Sequence, residues 1–202
     1  MPTVPILPNP IRLPGTPRIS LTDLSVIAFL IGIDVVARIL PHAPDFTPVA
    51  ATGLFAATLL RVRVISLVVP VAGLLLGDAV LGFYDWRVMA VVYGTLALPA
   101  CAACLSDRLR RPLLIVPMLL SSSLIFFLVT NFAVWAFSPL YAANAAGLVK
   151  CYGAGLPFLR NMAEGDLFWG LVLFGGYWLL QYIRAAKGEE PVAGSVALPV
   201  RS

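Results

Sequence analysis

Charge is scarce in this chain. Only 12% of its 202 residues are Asp, Glu, Lys or Arg, against about 25% in ordinary soluble domains. With 60% hydrophobic residues and a mean hydropathy of +0.93, a soluble fold of this size has too little polar surface to cover itself. A bilayer must therefore act as solvent for part of it. Histidine occurs once, at His42, and a metal site would need two or three further ligands. The three cysteines, Cys101, Cys104 and Cys151, do not make a disulfide framework. Catalytic signatures are missing too: there is no H-E-x-x-H, no G-x-S-x-G and no Walker loop. Enzymatic activity and cofactors are therefore not expected, and any ATP-driven step would need other subunits. The formal charge of +4 builds no nucleic-acid face. Its basic residues sit in short clusters between apolar runs, which is how topology signals look.

What the chain does have is a series of apolar runs: Leu24 to Leu40, Phe46 to Leu60, Val64 to Phe83, Val88 to Leu105, Pro112 to Phe137 and Leu167 to Ile183. A helix needs about 20 residues to cross a hydrocarbon core of about 30 Å. The expectation is an all-α, polytopic membrane bundle with six transmembrane helices over residues 20–184, five being the rival count. The second run is short, and spans only if Arg61 and Arg63 snorkel at one end and the Pro48 turn completes the other. Residues 1–19 hold six prolines and read as a disordered cytoplasmic arm. Residues 185–202 read as an unstructured tail. Ser20 or Thr22 is placed to cap the first helix, with Asp23 in its first turn. If both termini are cytoplasmic, the inside holds Arg12, Arg18, Arg61, Arg63, Arg108, Arg110, Arg111, Arg184, Lys187 and Arg201. The outside then holds only Arg38, Arg87, Lys150 and Arg160, as the positive-inside rule requires.

The stretch Arg38 to Ala57 joins a stiff polar turn, with Pro41, His42, Pro44, Asp45 and Pro48, to a run of small apolar residues. Asp34 and Arg38 stand four apart and share a helix face. They are read either as a self-neutralised pair or as ligand groups. Asp45 is a candidate cap for the next helix. Ala50, Gly53 and Ala57 form a small-residue face for close helix packing or for docking a membrane partner. Asp78 needs a counter-charge from Arg38 or Arg87. Asn131 and Trp135, four apart, place an amide and an aromatic plane on one face. The mixed segment Ser138 to Asp166, with Tyr152 and Asn161, reads as a short helical hairpin or lid, since such a segment at membrane depth must pack on protein or line a cavity. Cys101-Ala-Ala-Cys104 has no βαβ context for redox work and reads as small core residues. The candidate ligand-binding residues are thus Arg38, His42, Asp45, Asp78, Asn131, Trp135, Tyr152 and Asn161, all on the predicted outer side.

Several pieces also carry a family resemblance: Arg38-Ile-Leu-Pro-His42, Phe46-Thr-Pro-Val-Ala-Ala51, Asp78 with Gly82, and Thr130-Asn131-Phe132. Gly147, Cys151-Tyr152, Leu156-Pro157-Phe158, Asn161 and Gly165-Asp166-Leu167 complete the set. With them the chain resembles a family of small bacterial putative transport membrane proteins, grouped with the substrate-binding S components of energy-coupling-factor vitamin transporters. The resemblance spans roughly residues 36 to 183. It implies a six-helix S-component-like fold in the bacterial inner membrane, an outer pocket for a vitamin or similar micronutrient, and helix faces that dock a transmembrane scaffold subunit driven by ATPases. Other S components carry their docking alanine motif on the first helix, whereas here the best small-residue face lies on the second. The expected function is small-molecule binding and uptake. The alternative is a structural or assembly membrane protein whose outer loops bind a protein partner and enclose no cavity.

Overall fold

The computed structural model describes residues 19–60 and 62–189, and among these it contains helices and no strand. The expected proline-rich arm up to residue 18, Arg61, and the tail beyond residue 189 lie outside the described residues.

Helix α1 runs Leu21–Ile39. Ser20 opens it with a capping box: its hydroxyl accepts from the Asp23 N–H at 3.1 Å, and the Asp23 carboxylate accepts from the Ser20 N–H at 2.9 Å. Helix α2 covers only Val49–Leu59. At 1.5 Å per residue its eleven residues reach about 16 Å, half a hydrocarbon core. Pro48, not Asp45, is its N-cap residue, and no side chain caps it. Nearly every residue of α2 is buried, as expected of a helix that is apolar on all sides. It forms the centre of the bundle and touches α1 and the four helices that follow.

A 3₁₀ turn, Arg63–Leu67, leads into α3, Val68–Leu81, and the two together form one rod. Helix α4, Trp86–Leu105, starts on Asp85, whose carboxylate accepts from the Arg87 and Val88 N–H groups at 2.8 and 3.3 Å. A second 3₁₀ turn, Asp107–Arg110, precedes α5, Pro112–Phe137. Pro112 suits that start, because the first helical N–H has no partner to lose. In the connecting turn Asp107 binds Arg110 and, at 2.6 Å, Arg63. The Arg110 contact, then the Arg63 charge, hold the Asp107 carboxyl below the usual range.

The last rod departs from the expected hairpin. Asn144 caps α6, Ala145–Gly170, by accepting from the Gly147 N–H at 2.9 Å. The helix then passes through a single π turn, Leu171–Gly175, into α7, Gly176–Ala186, without a break. From Ala145 to Ala186 this is about 60 Å of continuous helix at 1.5 Å per residue. The mixed segment is therefore the first half of the final helix. Only the connector from Ser138 to Asn144 lies outside it.

Helix α5 packs along α6 and α4, α1 along α3, and α2 along α4. Three helical stretches among the described residues are long and apolar enough to cross a membrane: Arg63–Leu81, Trp86–Leu105 and Pro112–Phe137. Their outward faces carry exposed Leu75, Leu76, Leu98, Leu124 and Leu128, a surface suited to lipid.

Candidate functional site

Two polar assemblies form at the end of the bundle where α1, α3 and α5 finish and α4 and α6 begin. The first is built on a glycine groove. Gly73 and Gly77 lie four apart on α3 and face Asp34 and Arg38, four apart on α1. A Cβ on Gly73 would stand 2.6 Å from the Asp34 Cβ, and one on Gly77 would stand 2.6 Å from the Arg38 Nε. Bare backbone lets the charged side chains lie between the two helices.

Asp34 and Arg38 do not pair with each other, contrary to the expectation from their spacing. Arg38 forms an ion pair with Asp78, whose other carboxylate oxygen accepts from the Tyr93 hydroxyl at 2.7 Å. Asp34 is wholly buried and accepts from the Thr52 hydroxyl on α2, 2.9 and 3.0 Å from its two oxygens. Arg38 and Asp78 are thus taken up in joining α1, α3 and α4. The expectation that Arg38 holds an anionic ligand group meets a competing partner in Asp78, which takes one guanidinium nitrogen and leaves Nε without a hydrogen bond. A third buried carboxylate, Asp166 on α6, accepts from Ser123 on α5 at 2.6 Å.

The second assembly is a cavity of about 300 Å³ between α4, α5 and α6. Phe127, Thr130, Asn131 and Val134 line it from α5. Cys151, Ala154, Gly155, Phe158, Leu159 and Met162 line it from α6. Both sets follow the i, i+3, i+4, i+7 spacing of one helix face. Val88 and Val92 close the α4 side, Leu140 and Tyr141 come from the connector, and Asp45 comes from the proline-rich turn. Gly155 brings α6 against α5: a Cβ there would meet the Asn131 side-chain amide at 2.5 and 2.8 Å.

Of the eight residues predicted to bind ligand, Asp45 and Asn131 meet at this cavity. His42 is exposed, with Nδ1 at 2.6 Å from the Leu40 carbonyl oxygen. Trp135 Nε1 donates to the Ala142 carbonyl at 3.0 Å, the Tyr152 hydroxyl to Leu128 at 2.6 Å, and Asn161 Nδ2 to Pro44 at 3.0 Å. Their polar atoms are bound to backbone. Trp135 fixes the connector, Tyr152 joins α6 to α5, and Asn161 ties the proline-rich turn to α6. The Tyr152 ring packs edge-on against Phe127, 5.5 Å between centroids, so it supports the cavity wall from behind.

Asp45 sits in the turn with φ of 63°, a left-handed conformation uncommon outside glycine. Burial pushes its carboxyl above the usual range, while the Arg38 and His42 charges pull the other way. Tyr84, in the turn after α3, is pushed up to about 12 by burial and then by the Asp78 charge, so its phenol stays neutral.

Residues 19–188, from the residue before the α1 cap to just past α7, match a family of unknown function, DUF6580. The chain belongs to that family. No curated protein and no solved structure matches it.

Sequence reasoning did not single out Tyr93, Thr52, Phe126 or Gly73, and it placed Tyr141 in the mixed segment and Gly77 beside Asp78 without a site role. The groove had a visible signal, the Gly73-x-x-x-Gly77 spacing beside Asp78. The cavity had another, two small-and-aromatic stripes on α5 and α6. Among the described residues no three His, Cys, Asp or Glu side chains gather closely enough to hold a metal ion. A mostly apolar, aromatic wall with a few polar atoms is suited to reversible binding of a small organic molecule.

Proposed function

We propose that this member of the DUF6580 family is a six-span protein of the bacterial inner membrane, with both termini in the cytoplasm. On this reading it binds a small molecule on its outer side and takes part in its uptake. The observation that carries the reading is the 300 Å³ cavity, walled by three helices and roofed by two polar turns. It lies within the size range of small-molecule sites. An assembly protein that binds its partner through shallow outer loops has no need of such a space.

The resemblance to S components supports the same reading, with a scaffold subunit and its ATPases as the energy source. Docking through Ala50, Gly53 and Ala57 is not part of the proposal. Ala50 and Ala57 are buried in α2, and a Cβ on Gly53 would already stand 3.3 Å from Ala100 and Pro70. Those residues serve internal packing, so a scaffold would use the exposed outer faces of other helices.

Native mass spectrometry of the purified protein tests the proposal. A co-purifying small molecule is expected from the wild type, with its occupancy reduced in Asn131→Leu, which changes the cavity wall. A wild-type protein without any such mass, together with unchanged uptake by the variant, would remove the cavity as a functional site.

A further inference from the structure

The hydrogen-bonding capacity left on the cavity wall indicates the kind of ligand it fits. Five polar side chains line the space: Asp45, Thr130, Asn131, Tyr141 and Cys151. Three of them spend a donor on helix backbone. The Thr130 hydroxyl donates to the Phe126 carbonyl at 2.7 Å, one Asn131 N–H to Phe127 at 2.8 Å, and the Cys151 thiol to the Asn131 carbonyl at 3.3 Å. The Cys151 thiol also lies 3.9 Å from the Asn131 Oδ1, so what remains on this wall is one Asn131 N–H, the Tyr141 hydroxyl and the carboxylate of Asp45, which alone carries charge.

Asp45 is the decisive group. It is the one charged residue on the cavity wall. Among the described residues its carboxylate accepts no hydrogen bond and joins no ion pair, although the residue is half-buried. Its oxygens keep some contact with solvent, and withdrawing part of a carboxylate from water without a partner still carries a cost. The turn nevertheless holds Asp45 there in a left-handed conformation, and Asn161 fastens that turn to α6. The Arg38 and His42 charges offset part of this cost, but neither pairs with Asp45: Arg38 is bound to Asp78 and His42 is exposed. The rest of the wall is hydrocarbon and aromatic, including Phe126, Phe127 and Phe158, surfaces that accept a flat apolar body and tolerate a cation at close range.

Resting on the cavity reading above, we infer that the ligand is a small amphipathic cation: a protonated amine that pairs with Asp45, carried on a flat apolar body lying against the phenylalanines.

Three probes that share an indole body but differ in charge test the inference: tryptamine (cation), 3-ethylindole (neutral) and indole-3-propionate (anion). Calorimetric titration of the full chain in nanodiscs at pH 7.5 should give tryptamine at least about tenfold tighter binding than indole-3-propionate. Asp45→Asn should lower tryptamine affinity by a similar factor and leave 3-ethylindole within about twofold. If the probes bind with equal affinity, or if Asp45→Asn leaves tryptamine unaffected, the cation assignment fails and the cavity stands. If none binds at millimolar concentration, the cavity reading falls and this inference with it.

Discussion

Asp45 and Asp78 are carboxylates near the same end of the bundle, yet the fold treats them in opposite ways. Asp78 has two partners, Arg38 and Tyr93. Removing one side of such a buried pair leaves an uncompensated charge, at about 3–5 kcal/mol. Arg38→Met and Asp78→Leu should each lower stability on that scale, whereas the double variant should recover much of the loss in a double-mutant cycle of thermal stability. Additive single effects would argue against the pairing. Asp45 has burial without a partner, which lifts its pKa above the ordinary 3.8. A carboxyl raised in the folded state favours folding fully below the unfolded pKa and loses that contribution as pH rises through the folded value. At pH 7 the charged form is therefore held at a cost. Asp45→Asn removes the charge and keeps a residue that tolerates the left-handed backbone, so its Tm should exceed the wild type at pH 7. The gap should close as pH falls towards 4, and a lower Tm at neutral pH would contradict the assignment. The spacing of Asp34 and Arg38 put both on one helix face, as the sequence indicated. It left open whether Arg38 would pair with Asp34 or with Asp78 on another helix, and it gave no sign that Thr52 on α2 would be the partner of Asp34.

At the scale of elements, the α1–α3 contact depends on two missing side chains. Both groove glycines would clash with α1, but not equally. At Gly77 the obstacle is the middle of a long arginine, which can shift. At Gly73 it is the Asp34 Cβ, fixed by its own backbone. Gly73→Ala should therefore cost more than Gly77→Ala, within the roughly 1–3 kcal/mol of overpacked cores. Gly94→Ala, with open space at its Cβ, should be close to neutral. Thermal unfolding of the three variants in detergent orders them, and a Gly94→Ala loss equal to that of Gly73→Ala would refute the groove. Helix lengths were partly legible. The fifth run, Pro112 to Phe137, coincides with α5 because a proline start and an unbroken apolar run leave little choice. The mixed segment was not legible, because its glycines, Pro157 and charged residues look like a linker when read alone. Packing along α5, with Gly155 against Asn131 and Asp166 bonded to Ser123, makes it helix.

For the whole molecule, six rods alternating in direction put the two ends of the described chain on one side. The basic turn at Asp107–Arg111 lies on that side, opposite the cavity. The orientation proposed for it has a direct check by cysteine labelling in a cysteine-free background. Ala143→Cys, in the connector above the cavity, should react with a membrane-impermeant maleimide on intact cells. Arg108→Cys and Gly188→Cys should react only after permeabilisation. The reverse pattern would invert the topology and place the cavity inside.

The scarcity of charge and the succession of apolar runs by themselves determined that this is a helical chain with apolar outer faces. They also marked most of its turns, because the hydrophobic effect and the caps act locally along the chain. The exception is the last, where the residues expected to form a hairpin from Ser138 to Asp166 are helix from Ala145 onward. The sequence narrowed the counter-charge of Asp78 to Arg38 or Arg87; the choice between them, and the partners of the other buried polar groups, were decided only in three dimensions. Arg38 belongs to Asp78, Asp34 to Thr52, Asp166 to Ser123, and Asp45 to no residue among those described. Those choices depend on which helices lie side by side and on where a glycine lets them approach, and neither is written in the spacing of a single helix.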